Sequence, residues 1–223
     1  MAFYDLLFYL ISAFIMYLGY KNIEKKASAF DLPENIAALT IQQAENLLVN
    51  LRGLFFLIIF LAIFLILLII LSWSLFKGLN WCIASKKKFN LKFFKRFLLL
   101  NLAWIPIWIL LLFFVIIGIN PDSILYFIMA ILAIAVYLTN ILYALYTKES
   151  NLKAVKKAFK IALTKMHFFV IPYIIMLTIA YVLLKILIFN LQNMPLLTAL
   201  ILIFTIFIAW SRLYIVEIVD SVT

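Results

Sequence analysis

The stretch Lys86-Lys87-Lys88-Phe89-Asn90-Leu91-Lys92-Phe93-Phe94-Lys95-Arg96-Phe97 is basic and amphipathic, and it runs without a break into the apolar residues 98–118. A relative of it returns at Ser150-Asn151-Leu152-Lys153-Ala154-Val155-Lys156-Lys157-Ala158-Phe159-Lys160. Basic clusters joined directly to long apolar runs are the pattern of a chain threaded through a membrane. Outward from these two elbows, almost everything is apolar run or short turn.

The composition agrees. The chain is 69% hydrophobic, against about 45–50% for a soluble domain. A bilayer core about 30 Å thick needs about 20 apolar helical residues per crossing. Residues 3–20, 54–76, 98–118, 123–146, 168–189 and 194–216 meet that need, the first only narrowly, and it carries Asp5. That first run lacks a basic leader and a small-residue cleavage site, so it reads as a retained span. Residues 54–76 form the strongest span, uncharged, with Trp73 and Trp81 near its end as an interfacial belt. Tyr143 and Tyr146 mark the end of the fourth span in the same way. The four glycines, Gly19, Gly53, Gly78 and Gly118, fall at the proposed span ends.

Between the first two spans, residues 21–53 are mixed in charge. Pro33 and Glu34 suit the first turn of a helix, predicted over 33–52. Asn120-Pro121-Asp122 and residues 190–195 are tight proline turns. The expected fold is an all-α integral membrane protein of about six transmembrane helices with two basic amphipathic interfacial helices. Its parts are an N-terminal pair of spans (1–76) with an extracytoplasmic segment (21–53), a first elbow with its span hairpin (77–146) and a second elbow with its hairpin (147–223).

Basic residues concentrate in the elbows: Lys77, Lys86, Lys87, Lys88, Lys92, Lys95 and Arg96 in the first, Lys148, Lys153, Lys156, Lys157, Lys160 and Lys165 in the second. The positive-inside rule puts both elbows, and with six spans both termini, in the cytoplasm of a cell-membrane protein. If residues 3–20 do not cross, the N-terminus moves outside and the elbows stay.

The elbows start similar units. Residues 90–97 match 151–158, and each leads to a span with Ile-Pro, at Ile105-Pro106 and Ile171-Pro172. The second copy has five extra residues before its proline. Elbow, span, turn and span then repeat over 86–146 and 150–216. In the second copy Leu152, Val155, Phe159, Ala162 and Met166 share one helical face, and Lys153, Lys156, Lys157 and Lys160 the other. That is the pattern of a helix lying at the membrane surface, with lysines toward anionic headgroups. Lys86, Lys87, Lys88, Lys92, Lys95, Arg96, Lys153, Lys156, Lys157 and Lys160 are therefore the candidate contacts for anionic lipid or for a cytosolic or membrane protein partner.

A basic elbow with a Phe-rich entry (Lys92-Phe93-Phe94-Lys95-Arg96-Phe97), an Ile-Pro span and a short hairpin resembles uncharacterised archaeal and bacterial multi-pass families. These are similar to the membrane domain attached to some glycerophosphodiester phosphodiesterases and to YciC-like proteins. The resemblance covers residues 77–216 in pattern. It implies a helical membrane bundle without established chemistry. The phosphodiesterase barrel is absent from this chain, so no activity is implied.

Enzyme chemistry finds little support. One cysteine, Cys82, excludes an intrachain disulfide and a multi-cysteine metal site. One histidine, His167, supplies no cluster, and there is no phosphate-binding Gly-rich loop or His-Glu-x-x-His zinc site. No catalytic residue, cofactor or metal is expected, and the net charge of +10 comes without any nucleic-acid motif. Polar groups at membrane depth are functional candidates by default: here Asp5, Asn101, Asn140 and Arg212, with Asp5 and Arg212 placed to pair. Two functions fit this pattern. A non-enzymatic scaffold or docking component predicts a bundle filled with Leu, Ile and Phe. A small transporter or lipid-handling protein, using the proline-bearing spans 3 and 5, predicts a cavity lined by Asn101, Asn140 or Arg212.

Overall fold

In hydrocarbon every backbone N–H and C=O must be satisfied within its own segment, so apolar runs of this length fold as helices. The structure, a computed structural model, describes residues 1–28, 40–190, 192 and 194–223. In chain order the helices are α1 (Ala2–Ser28), α2 (Ile41–Ala84), α3 (Leu91–Gly118), α4 (Pro121–Glu149), α5 (Lys153–Thr164), α6 (Met166–Phe189) and α7 (Met194–Val222). Among the described residues, six helices, all but α5, are long and apolar enough to cross a membrane. The predicted start of a helix at Pro33 lies outside the described residues. From Ile41 onward that segment is the beginning of α2, a helix of 44 residues.

The chain divides into two compact units, one of Met1–Leu7 with Trp73–Thr223 and one of Phe8–Ser72. In the second unit Gly19 is not a span end. A Cβ there would collide with the Leu65 side chain, so Gly19 lets α1 and α2 approach closely. In the first unit Gly78 has the same kind of role. A Cβ on it would meet the rings of Phe89 at 3.2 Å and Phe97 at 3.3 Å. Only Gly118, of the four glycines, ends a helix.

Within the larger unit α4 is central, packing against α3, α5 and α7, while α6 packs on α7 and α5. Residues 141–146 of α4 are all buried, so its last turns are covered on every side. Around them sit Trp81 and Cys82 of α2, Phe93, Phe97 and Trp104 of α3, Ala154 and Ala158 of α5, Phe169 of α6, and Ile215 and Val219 of α7. This core lies at the elbow ends of the helices. Their other halves expose Ile107, Phe113, Phe114, Ile117, Leu125 and Met129, side chains suited to lipid. Trp81, Tyr143 and Tyr146 are buried at 2% exposure each, so they form core and not an interfacial belt. Inside protein, Trp73 Nε1 finds Tyr143 Oη at 3.1 Å, a partner that removes the need for the headgroup layer.

The two elbows begin alike. After α2, Lys86 takes a left-handed conformation (φ 53°), and the Lys86 and Lys87 N–H groups donate to Ile83 O (3.1 Å) and Cys82 O (2.8 Å). This is a Schellman cap with lysine where glycine is usual. After α4, Ser150 is also left-handed (φ 50°), and its N–H donates to Tyr146 O at 2.8 Å. Asn90 then caps α3 by accepting from the Phe93 N–H at 2.8 Å. From there the elbows differ. The first basic stretch is no separate surface helix, being the opening turns of α3, which continues through Pro106 to Gly118. In the second elbow α5 stops at Thr164, and α6 starts after Lys165.

Helix α5 carries three faces. Ala154, Ala158, Ile161 and Ala162 are buried. Lys153, Lys156 and Lys160 are exposed. Between these faces lie Leu152, Phe159 and Leu163, apolar and exposed at 73%, 41% and 76%. The expected apolar face of Leu152, Val155, Phe159, Ala162 and Met166 therefore does not pack as one. The small alanines let α5 lie close on α4, and the large side chains point away.

Candidate functional site

Three ionisable groups from three helices meet in the larger unit. Asp5 of α1 is fully buried, and Lys77 and Arg212 are each 5% exposed. Arg212 holds Asp5 with two bonds, Nη1 to Oδ2 at 2.6 Å and Nη2 to Oδ1 at 2.8 Å. Lys77 Nζ donates to Asp5 Oδ1 at 2.7 Å, and its ammonium lies 4.9 Å from the centre of the Trp73 ring. Among the described residues, one carboxylate thus faces two cations.

The sequence pattern pairs Asp5 with Arg212 but leaves Lys77 in the elbow loop. The missed signal lies immediately C-terminal to it. Gly78 to Ala84 is a largely apolar run, so the helix continues past Lys77 and carries it into the bundle.

Next to the ion cluster, neutral polar groups lock three helices. Trp73 Nε1 donates to Tyr143 Oη, the Tyr143 hydroxyl donates to Asn101 Oδ1, and Asn101 Nδ2 donates to Ser74 Oγ at 3.0 Å. Asn101 is fully buried and engaged through both ends of its amide, so its part is structural. Asn140 lies elsewhere, donating from Nδ2 to Tyr173 Oη at 3.2 Å.

Between α2, α3, α4, α6 and α7 lies a cavity of about 480 Å³, within the range of about 300–1,000 Å³ that small-molecule sites occupy. Lys77 and Arg212 line it, as do Asn140 and Tyr173. The rest of its wall is chiefly aromatic and aliphatic and includes Trp73, Trp81, Trp104 and Trp108. From Trp104 to Leu112 on α3 the wall extends about 12 Å at 1.5 Å per residue. Ile109, Val136 and Leu177 line the cavity and are also about half exposed, at 48%, 52% and 54%. It therefore opens sideways, toward the surface that spanning helices present to lipid. Trp104 Nε1 donates to Thr139 Oγ1 at 2.9 Å, whereas the buried Trp108 Nε1 has no partner among the described residues. A buried N–H left unpaired costs about 1–3 kcal/mol, a cost that an acceptor on an occupant would remove.

The elbow residues separate into two groups. Lys87, Lys88, Lys92 and Arg96 line a second hollow of about 290 Å³ together with Lys148, a basic residue of the second elbow that is not among the candidate contacts. Lys86, Lys95, Lys153, Lys156 and Lys160 are exposed outside it, and Lys157 pairs with Glu149 at 2.9 Å. No group of three or more His, Cys, Asp or Glu that could hold a metal ion occurs among the described residues. No family model, curated protein or solved structure matches the chain.

Proposed function

We propose that this protein handles a membrane amphiphile, as a small transporter or lipid-handling protein, and that the occupant enters its cavity sideways from the bilayer. The single observation that carries the reading is the cavity: apolar and tryptophan-rich along its length, cationic where Lys77 and Arg212 meet it. A hydrocarbon chain fits the first part and an anionic head the second. The docking-only alternative expects a filled bundle, which a hollow of about 480 Å³ argues against. No catalytic step is part of the proposal. The elbows and both termini are assigned to the cytoplasm of a cell membrane, with the charged end of the cavity on that side. The exposed Lys153, Lys156 and Lys160 face anionic headgroups there, and the exposed Phe159 and Leu163 sit in the adjoining acyl layer.

Four of the five tryptophans line the cavity, the fifth being Trp210. In a Trp210→Phe protein reconstituted in phosphatidylcholine nanodiscs, a brominated single-chain carboxylate is expected to quench the remaining fluorescence saturably. Filling the cavity with Ala180→Phe is expected to abolish the saturable part. Quenching that rises linearly and ignores Ala180→Phe would mean contact with lipid only, and would sink the proposal.

A further inference from the structure

The second hollow is built by both elbows at once. The turn after α2 brings Lys87, Lys88 and Asn90, the first turns of α3 bring Lys92 and Arg96, and the end of α4 brings Thr147, Lys148 and Ser150. Arg96 Nη1 donates to Ser150 O at 3.2 Å, tying one elbow to the cap of the other. The left-handed residues Lys86 and Ser150 start the turns on its two sides.

Its charge is lopsided. Five cations line about 290 Å³, and no acidic residue among the described ones lines it. Lys148 is compensated by an ion pair with Asp220. Lys87, Lys88, Lys92 and Arg96 make no ion pair among the described residues. Like charges gathered in one concavity repel, and an anion held between them reverses the sign of each interaction. The convex face of α5 is different: its lysines are spread on an open surface with no hollow between them, as an orientation anchor requires. The N–H of Phe93 is already taken by Asn90, so side chains rather than helix amides would hold the anion. The one aromatic residue lining the hollow, Phe93, is buried and offers no open face on which a base could stack.

We propose that this hollow is a binding site for a phosphate monoester or inorganic phosphate, held by Lys87, Lys88, Lys92 and Arg96. A dianionic phosphate matches several uncompensated cations better than a monoanionic diester, and the Arg96 guanidinium suits its oxygens. The site is separate from the membrane cavity and stands whether or not that cavity takes an amphiphile. The phosphate belongs either to a lipid headgroup, such as that of phosphatidic acid, or to a soluble anion.

The test is the apparent melting temperature of the full chain in phosphatidylcholine nanodiscs. One arm adds millimolar inorganic phosphate against sodium chloride of equal ionic strength. The other replaces a tenth of the lipid with phosphatidic acid. A specific site raises the melting temperature by several degrees. That rise is expected to vanish in Lys92→Gln/Arg96→Gln and to persist in Lys156→Gln/Lys160→Gln. A rise in the first arm identifies a soluble phosphate, and a rise in the second alone identifies the lipid headgroup. Because Arg96 also ties the elbows together, Lys87→Gln/Lys88→Gln gives an independent reading from exposed side chains. The proposal is overturned by no rise in either arm, or by a rise that Lys156→Gln/Lys160→Gln removes as fully as the hollow variants do.

Discussion

Arg212 grips Asp5 through two parallel hydrogen bonds, 2.6 and 2.8 Å long, between residues 207 positions apart. Because Lys77 shares the same carboxylate, the three single substitutions are not equivalent. Removing Lys77 or Arg212 leaves one cation on one carboxylate. Removing the charge of Asp5 takes away the carboxylate that both buried cations bond. Asp5→Asn is therefore expected to cost about 3–5 kcal/mol, and Lys77→Gln or Arg212→Gln less. Thermal unfolding of detergent-solubilised protein checks the order. Equal losses would show that the carboxylate is not the common partner.

Two glycines of one helix predict opposite outcomes. Alanine exceeds glycine in helix propensity by about 1 kcal/mol, and nothing stands within 4 Å of a Cβ at Gly53. Gly53→Ala should raise the melting temperature. At Gly78 the new methyl would press on Phe89 and on Phe97, which is fully buried and stacked on Phe93 at 5.4 Å between ring centres. A packed ring has nowhere to move, so Gly78→Ala should lower the melting temperature despite the better helix former.

Lys86 sits in the left-handed region at the cap position that glycine prefers. Lys86→Gly should stabilise the protein by on the order of 1 kcal/mol through relief of that conformation. Lys86 does not line the hollow between the elbows, so the same variant should keep any phosphate-induced rise in melting temperature. Loss of that rise would tie the site to the lysine side chain at 86 instead.

The assignment of sides has a direct readout. Lys156 is exposed on α5, and Gln192 is exposed in the turn before α7. A membrane-impermeant maleimide should label Lys156→Cys in inverted vesicles and Gln192→Cys in intact cells. The native Cys82 is buried and should stay silent in both. The reverse pattern would turn the protein over in the membrane.

The spans were legible because about 20 apolar residues in a row have few other uses. Their ends were less so. Lys77 looked like the close of a span, since a charge at the edge of hydrocarbon ordinarily marks its boundary, but here Asp5 lies across from it and lets α2 continue. Trp81 and Tyr143 looked interfacial because amphipathic rings favour headgroups. Burial in a core with polar partners serves them equally, and one-dimensional pattern does not separate the two. The pairing of Asp5 with Arg212 could be anticipated, as both are costly in lipid unless matched. The transporter reading expects a cavity lined by Asn101, Asn140 or Arg212, and Asn140 and Arg212 do line one while Asn101 does not. The rest of its wall could not be read, because it draws single faces from five helices, and the rotation of each helix about its axis is set by packing that composition does not encode. Lys148 was missed for the same reason, since it joins the first elbow only through the way α4 ends beside α3.

The shared carboxylate also has a bearing on the order in which the protein is made. Asp5 leaves the ribosome long before Arg212 exists. Translation at about 5–20 residues per second delivers Lys77 on the order of ten seconds ahead of Arg212. During that interval Lys77 is the one of Asp5's two partners that already exists. When α7 arrives, Arg212 adds two bonds to a carboxylate that already has one. A lysine set just beyond the second apolar run is thus in place for the carboxylate well before the arginine is.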